Sequence, residues 1–218
     1  MNTKTHWDNI YSTKMENEVS WFQPYPKTSV EFLELFNLPL TANIIDVGGG
    51  DSHLVDILLE KGYQNIWVLD ISANAIERAK ERLGIQADKV HWIVSDVIEF
   101  DFKDLRFDLW HDRAAFHFLT TDDKIDRYVS LAKDAISKNG YLVLGTFSEE
   151  GPEKCSGLQV KRYSETSMRA KFEGSFVCIK CIHEDHITPF NTSQNFLFCS
   201  FKRNNYGENK TTSIKMRT

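Results

Sequence analysis

No stretch of the 218 residues stays apolar for the roughly 20 positions that a membrane-crossing helix requires, so no such helix is expected. The first residues, Met1-Asn2-Thr3-Lys4-Thr5-His6, are polar and carry no apolar signal core, and a cytoplasmic protein is expected. Cysteine is scarce. The four, at 155, 178, 181 and 199, follow no framework spacing, which fits reduced thiols better than a disulfide scaffold. Cys178 and Cys181 form a C-x-x-C, but in a run with strand character two residues three apart face opposite sides, so structural thiols are expected rather than a redox or metal pair. Basic charge is also in short supply. Lys and Arg number 26 against 31 Asp and Glu, giving a net charge of −5, and neither a nucleic-acid nor a membrane partner is expected.

The stretch Asn43-Ile-Ile-Asp-Val-Gly-Gly-Gly-Asp-Ser52 has its own absences. A dinucleotide fingerprint needs glycine at its first, third and sixth places; counted from Gly48 the sixth is His53, so the close helix approach that seats a pyrophosphate is not provided. No Gly-Lys-Ser/Thr follows, which excludes a Walker phosphate loop. What is present is a β-branched run, Ile44, Ile45 and Val47, broken by Gly48, Gly49 and Gly50, with Asp51 and Ser52 as capping residues for a helix over 54–61. Strand, glycine turn and helix make the first crossover of a nucleotide-binding α/β sheet, here suited to a nucleoside without a pyrophosphate.

The chain is long enough for one α/β domain with a full core, and its 41% hydrophobic and 26% charged residues are ordinary for a globular protein. Further strands are expected over 65–70, 90–94, 107–111 and 141–147, and helices over 30–36, 73–83 (capped by Ser72, stopped by Gly84) and 122–137. Five strands alternating with helices imply a parallel sheet with right-handed crossovers. A loop over 148–157 and a helix over 164–172 follow, then two strand-like runs, 176–183 and 194–202, that read as an added antiparallel hairpin. In residues 1–30, Trp7 and Tyr11 share a helix face, while Pro24 and Pro26 hold 21–26 as a loop. This segment reads either as a lid over a ligand or as a helix packed on the domain. One domain over 1–203 is expected, with a polar, mobile tail over 204–218.

In an open parallel sheet, ligands bind beyond the carboxyl ends of the strands. The glycine turn, Asp70, Asp96 and the segment from His111 to Arg113 all fall at such ends. Asp70 stands about twenty residues after the turn, where a carboxylate accepts both hydroxyl hydrogens of a ribose. Asp96 followed by the apolar Val97 suits the edge and face of an adenine.

These residues resemble the cofactor motifs of class I S-adenosylmethionine-dependent methyltransferases: Asp46-Val-Gly-Gly-Gly-Asp51, Asp70, and Ser95-Asp96-Val97. The resemblance runs from about Trp7 to Arg203 and includes the closing hairpin. It implies a Rossmann-like three-layer α/β/α sandwich, a mostly parallel seven-stranded sheet with a C-terminal antiparallel hairpin, and S-adenosylmethionine as cofactor. It further implies that Asp46, Gly48, Gly49 and Gly50 lie near the methionine portion, Asp70 with Ile71 and Ser72 at the ribose, Asp96 with Val97 at the adenine, and His111 at the same edge. Ser52 stands where the family's motif has its third glycine. Trp7-Asp8-x-x-Tyr11 and Ser20-Trp21-Phe22 are similar to a branch that includes small protein-lysine methyltransferases, which implies that Tyr11 and Trp21 close the cofactor pocket. The segment Trp110-His111-Asp112-Arg113-Ala114-Ala115-Phe116 is similar instead to one found in thiol methyltransferases that act on small molecules.

Methyl transfer from a sulfonium is an in-line displacement in which alignment is the main task. A nitrogen or oxygen acceptor must also lose a proton, whereas a thiolate need not. The candidate catalytic residues are His111, as a general base, and Arg113, as the holder of an acidic substrate group. A structural Asp112–Arg113 ion pair, and a packed core role for His117 between two phenylalanines, are the alternatives. The loop with Cys155, together with Arg162 and Tyr163, offers a second candidate wall. His183-Glu-Asp-His186 has permissive metal spacing but reads as solvated residues at a strand end, and no metal is expected. The expected activity is methylation of a small-molecule acceptor, such as a thiol or another soft nucleophile. A protein-lysine N-methyltransferase and a non-catalytic binding subunit of the same fold are the alternatives.

Overall fold

The computed structural model describes residues 3–204; most of the expected tail, from 205 on, lies outside them. Six α-helices are described: α1 (Thr3–Thr13), α2 (Lys27–Leu35), α3 (Leu54–Glu60), α4 (Ala73–Leu83), α5 (Asp122–Ala135) and α6 (Glu165–Phe172). The main sheet contains β1 (Asn43–Val47), β2 (Asn65–Asp70), β3 (Val90–Val94), β4 (Phe107–Arg113) and β5 (Ile136–Phe147). Two strands of two residues, β6 (Lys154–Cys155) and β7 (Leu158–Gln159), form a separate hairpin, and β8 (Phe176–Ile187) and β9 (Ser193–Arg203) complete the sheet.

The strand order is β3-β2-β1-β4-β5-β9-β8. The pairs from β3 to β5 are parallel, whereas β9 and β8 run antiparallel. This is the Rossmann-like arrangement expected, a mostly parallel sheet closed by an antiparallel hairpin. One face buries Trp110, Phe116, Leu142 and Phe201 against α5 and α6, through Ile125, Tyr128, Met168 and Phe172. The other buries Ile44, Val68, Phe147 and Phe198 against α2, α3 and α4, through Phe32, Leu33, Leu58 and Ile76. A sheet covered on both faces needs apolar side chains at successive positions, which is why Ile44 and Ile45 are adjacent in β1 and Leu109 and Trp110 in β4. The order reverses between β1 and β4, so the crevice for a ligand opens at the carboxyl ends of these two strands.

The structure departs from the sequence-based expectation in several places. Strand β4 continues to Arg113, so His111 lies inside the strand and Arg113 at its end. Strand β5 begins at Ile136; the left-handed Asn139 and a register shift against β4 are absorbed within it. Helix α3 is N-capped at His53 rather than at Asp51, which instead pairs with Arg78 at 3.1 Å.

Cysteine differs most. Cys181 and Cys199 are joined in a disulfide between β8 and β9, where four reduced thiols were expected. They are register partners on adjacent strands, a proximity that sequence spacing does not reveal. A bulge between Cys178 and Lys180 also turns Cys178 to the side of Cys181, with 3.6 Å between the sulfurs, against the alternation expected of a regular strand. Cys155 and Cys178 are free. Thiol titration of the denatured, unreduced protein is therefore expected to find two groups, rising to four on reduction; four in both states would contradict the bond. No helix among the described residues is long and apolar enough to cross a membrane.

Candidate active site

Two cavities meet at the carboxyl ends of β1, β2 and β4. The larger, about 150 Å³, is lined by Gly48, Asp70, Ile71, Asp96, Val97 and Phe118 among others, and the smaller, about 50 Å³, by Asp46, Gly49, Ser29 and His111. Tyr11, Trp21, Gly48 and Arg113 line both. Of the residues expected at the site, Gly50 and Ser72 line neither cavity. Gly50 lies behind, where a Cβ would come within 2.9 Å of Asp70 Oδ2 and 3.2 Å of the Tyr11 hydroxyl. Ser72 caps α4, accepting from Ala75 N–H, and donates its hydroxyl to Asp8 Oδ1 at 2.8 Å.

Asp70 ends β2 and is buried. Its Oδ1 accepts the Ser72 N–H at 2.8 Å, and no cation pairs with it among the described residues. Burial pushes its carboxyl up from 3.8 to about 7; the Ser72 N–H opposes that, and the fields of Asp51 and Asp46 add to it. A buried carboxylate without a cation calls for hydrogen-bond donors from elsewhere. A ribose diol has two, so the site fits a nucleoside cofactor. At the other end of the same cavity, Asp96 Oδ1 accepts the Ile98 N–H at 3.1 Å beside the apolar walls of Val97, Phe118 and Leu119.

The two sides of β4 separate the segment's chemistry. Trp110 and Asp112 face α5: Tyr128 donates to Asp112 Oδ2 at 2.7 Å and accepts from Trp110 Nε1 at 2.9 Å. Asp112 Oδ1 also accepts the N–H groups of Ala115 and Phe116, at 2.9 and 3.1 Å. Asp112 is thus a buried anchor for the loop after β4, not a partner of Arg113. That loop brings Ala115 against Gly48, whose left-handed φ of 67° leaves no room for a side chain.

His111 and Arg113 face the other way. His111 is the register partner of Asp46 on β1, and its Nδ1 lies 2.7 Å from Asp46 Oδ1. Its Nε2 lies 2.8 Å from Ser29 Oγ on α2. Both ring nitrogens are engaged, and all three residues are buried. His117 is a packed core residue: its Nδ1 accepts the Phe147 N–H at 3.3 Å, its ring meets Phe118 and Phe147 edge-on or tilted, and burial followed by the Arg113 charge lowers it to about 3.

The N-terminal segment covers the cavities. Helix α1 sits on α4 through Asn74 Nδ2 donating to Asp8 O, and Arg78 donating to Lys14 O at 2.9 Å. Trp7, Tyr11 and Trp21 form one aromatic cluster, with ring centroids 5.6–6.3 Å apart. The strap around Trp21 is held from below. Arg113 Nη1 donates to Trp21 O at 2.9 Å, His186 Nε2 to Ser20 O at 2.7 Å, and Gln23 Nε2 to Glu184 Oε1 at 3.0 Å. The residues from His183 to His186, which read from sequence as solvated, thus include two that fasten the strap. Cys155 lines the larger cavity, and burial pushes its thiol up to about 11, so it is no ready nucleophile. Of the expected second wall, Cys155 lines the larger cavity and Arg162 and Tyr163 line neither; Ser29 and Phe118 had no sequence signal, each reaching the site by a contact distant along the chain.

A family model described as a methyltransferase domain matches residues 44–140, a little under half of the chain, and over that span the chain is similar to class I S-adenosylmethionine-dependent methyltransferases. Among curated proteins, it is 25% identical over 119 residues to the eEF1A lysine and N-terminal methyltransferase of Mus musculus, covering 55% of this chain and 17% of that protein. It is 22% identical over 164 residues to EEF1A lysine methyltransferase 2 of Homo sapiens, covering 66% and 67%. The chain thus spans about a sixth of the length of the first of these relatives. Among solved structures, the N-methyltransferase NodS of Bradyrhizobium japonicum in complex with S-adenosyl-L-homocysteine superposes with a TM-score of 0.70 at 14% identity, covering 93% of this chain and 99% of that one. A structure concerned with converting a disulfide bond into a thioacetal group in echinomycin biosynthesis superposes with a TM-score of 0.74 at 16% identity, covering 93% of each chain.

Proposed function

We propose that this chain transfers a methyl group from S-adenosylmethionine to a small-molecule acceptor whose attacking atom is soft and needs no base, a thiolate being the clearest case. The observation that carries this is that no histidine among the described residues lines the larger cavity, while on the smaller one His111 has both ring nitrogens engaged and His53 is paired through Nε2 with Glu16 at 3.1 Å. An amine or hydroxyl acceptor must lose a proton to a positioned base, whereas a thiolate arrives without one.

When bound, the cofactor supplies an electrophilic methyl group on a sulfonium. The chain holds the nucleoside with Asp70 and Asp96 and keeps Asp46 beneath the glycine turn through His111 and Ser29. In this reading His111 is a positioning residue, and residues 1–30 are a lid that excludes water over Tyr11 and Trp21. The polar contacts of Trp21, Ser20 and Gln23 with the strand ends support the lid.

Methylation of a protein lysine is the second reading, favoured by the curated relatives that bear that name. The buried cation of Arg113 between the two cavities weighs against an approaching ammonium group. Release of S-adenosylhomocysteine, followed with a panel of small thiols, amines and carboxylates and with purified eEF1A, tests both. Turnover of a small thiol without turnover of eEF1A is expected; turnover of protein lysine alone would reverse the assignment, and turnover of any acceptor would eliminate a purely binding role.

A further inference from the structure

Arg113 lines both cavities at the end of β4. Its Nη1 is spent on Trp21 O, but Nε and Nη2 are sealed from solvent with no hydrogen-bond partner. These two atoms form one edge of the guanidinium, the edge whose parallel N–H groups match the two oxygens of a carboxylate. No carboxylate lies within ion-pair distance of Arg113 among the described residues. Asp46 is engaged by His111, and Glu184 gives one oxygen to Gln23. The face of the guanidinium lies 4.8 Å from the centroid of the Phe196 ring, which orients it without neutralising it. Burial lowers Arg113 to about 10, so it remains a cation at neutral pH. A buried cation with an unmet bidentate edge is costly unless an anion completes it.

We propose that the Nε/Nη2 edge of Arg113 is the receptor for a carboxylate that a ligand carries into the cavity pair. This rests on the methyltransferase reading above and narrows its ligands. The carboxylate comes either from the acceptor, making the acceptor an acid such as a mercapto acid, or from the amino-acid end of the cofactor. Each source has a matched pair of probes that differ only in the carboxylate: 3-mercaptopropionate against its amide, and S-adenosylhomocysteine against its carboxamide. Binding of each is measured by calorimetry, the first pair on protein loaded with S-adenosylhomocysteine, for wild type, Arg113→Met and Arg113→Lys.

In wild type the acid member of one pair is expected to bind more tightly. Arg113→Met is expected to reduce that preference by about 10–100-fold while changing the neutral member little, and Arg113→Lys to restore part of it. Loss confined to the mercapto pair assigns the carboxylate to the acceptor; loss confined to the nucleoside pair assigns it to the cofactor. If Arg113→Met leaves both preferences intact, the proposal is overturned. Glu184→Gln controls for a structural role: equal drops in melting temperature for the two variants, with no change in either preference, would make Arg113 a partner of Glu184 and also overturn it. Failure of wild type to bind either nucleoside would overturn the methyltransferase reading itself, an outcome distinct from intact nucleoside binding with no anion preference.

Discussion

Asp70→Asn is expected to raise the melting temperature of the ligand-free protein at pH 8 and to weaken S-adenosylhomocysteine binding by at least about 100-fold, since two hydrogen bonds to a charged acceptor are degraded at once. The two effects share one cause. Asp70 is buried without a cation, so its folded-state carboxyl titrates at about 7 instead of 3.8. Folding takes up a proton between those values, so stability falls as pH rises from about 4 to 7, and above that the full cost of an ionised buried group stands. Asparagine removes the charge and with it the cost, but loses the carboxylate that the ribose hydroxyls meet. The same titration predicts that wild-type affinity declines as the pH falls below about 7, because a protonated carboxyl accepts less well. Thermal melts and calorimetry at pH 6 and 8 read both effects. A variant that is less stable than wild type at pH 8 yet binds normally would contradict this account of the site.

Gly48→Ala is expected to be the most damaging single methyl in the chain. The left-handed φ of 67° costs an alanine about 1–2 kcal/mol. The new Cβ would also come within 2.5 Å of Ala115 Cβ, an overlap that costs roughly 1–3 kcal/mol to relieve. Denaturant unfolding should show the sum, and nucleoside binding should be lost, because Gly48 lines both cavities. The double variant with Ala115→Gly removes the overlap and leaves the backbone cost, so it should recover about half of the lost stability. No recovery would mean that the loop after β4 does not press on the turn.

The strand ends that line the larger cavity were legible because they depend on local chemistry. Alternating strands and helices place Gly48, Asp70 and Asp96 at one sheet edge, and strand β2, helix α4 and its Ser72 cap follow from apolar period and capping alone. The rest was harder to read because its groups are defined by partners far along the chain. His111 looks like a free base until Ser29, 82 residues earlier, takes its second nitrogen. His186 looks solvated until the strap supplies Ser20 O, 166 residues away. Cys181 looks like a lone thiol until β9 sets Cys199 opposite it. In each case the decisive contact crosses elements, which neither periodicity nor spacing encodes.

The central claim is that the larger cavity seats S-adenosylmethionine. Titration of the wild-type protein with S-adenosylhomocysteine, read by the emission of Trp7 and Trp21 on the cavity wall, tests it most directly. One saturable site is expected, with adenosine competing for it and Asp70→Asn abolishing the change. An unchanged signal up to millimolar ligand, with no heat by calorimetry, would contradict it.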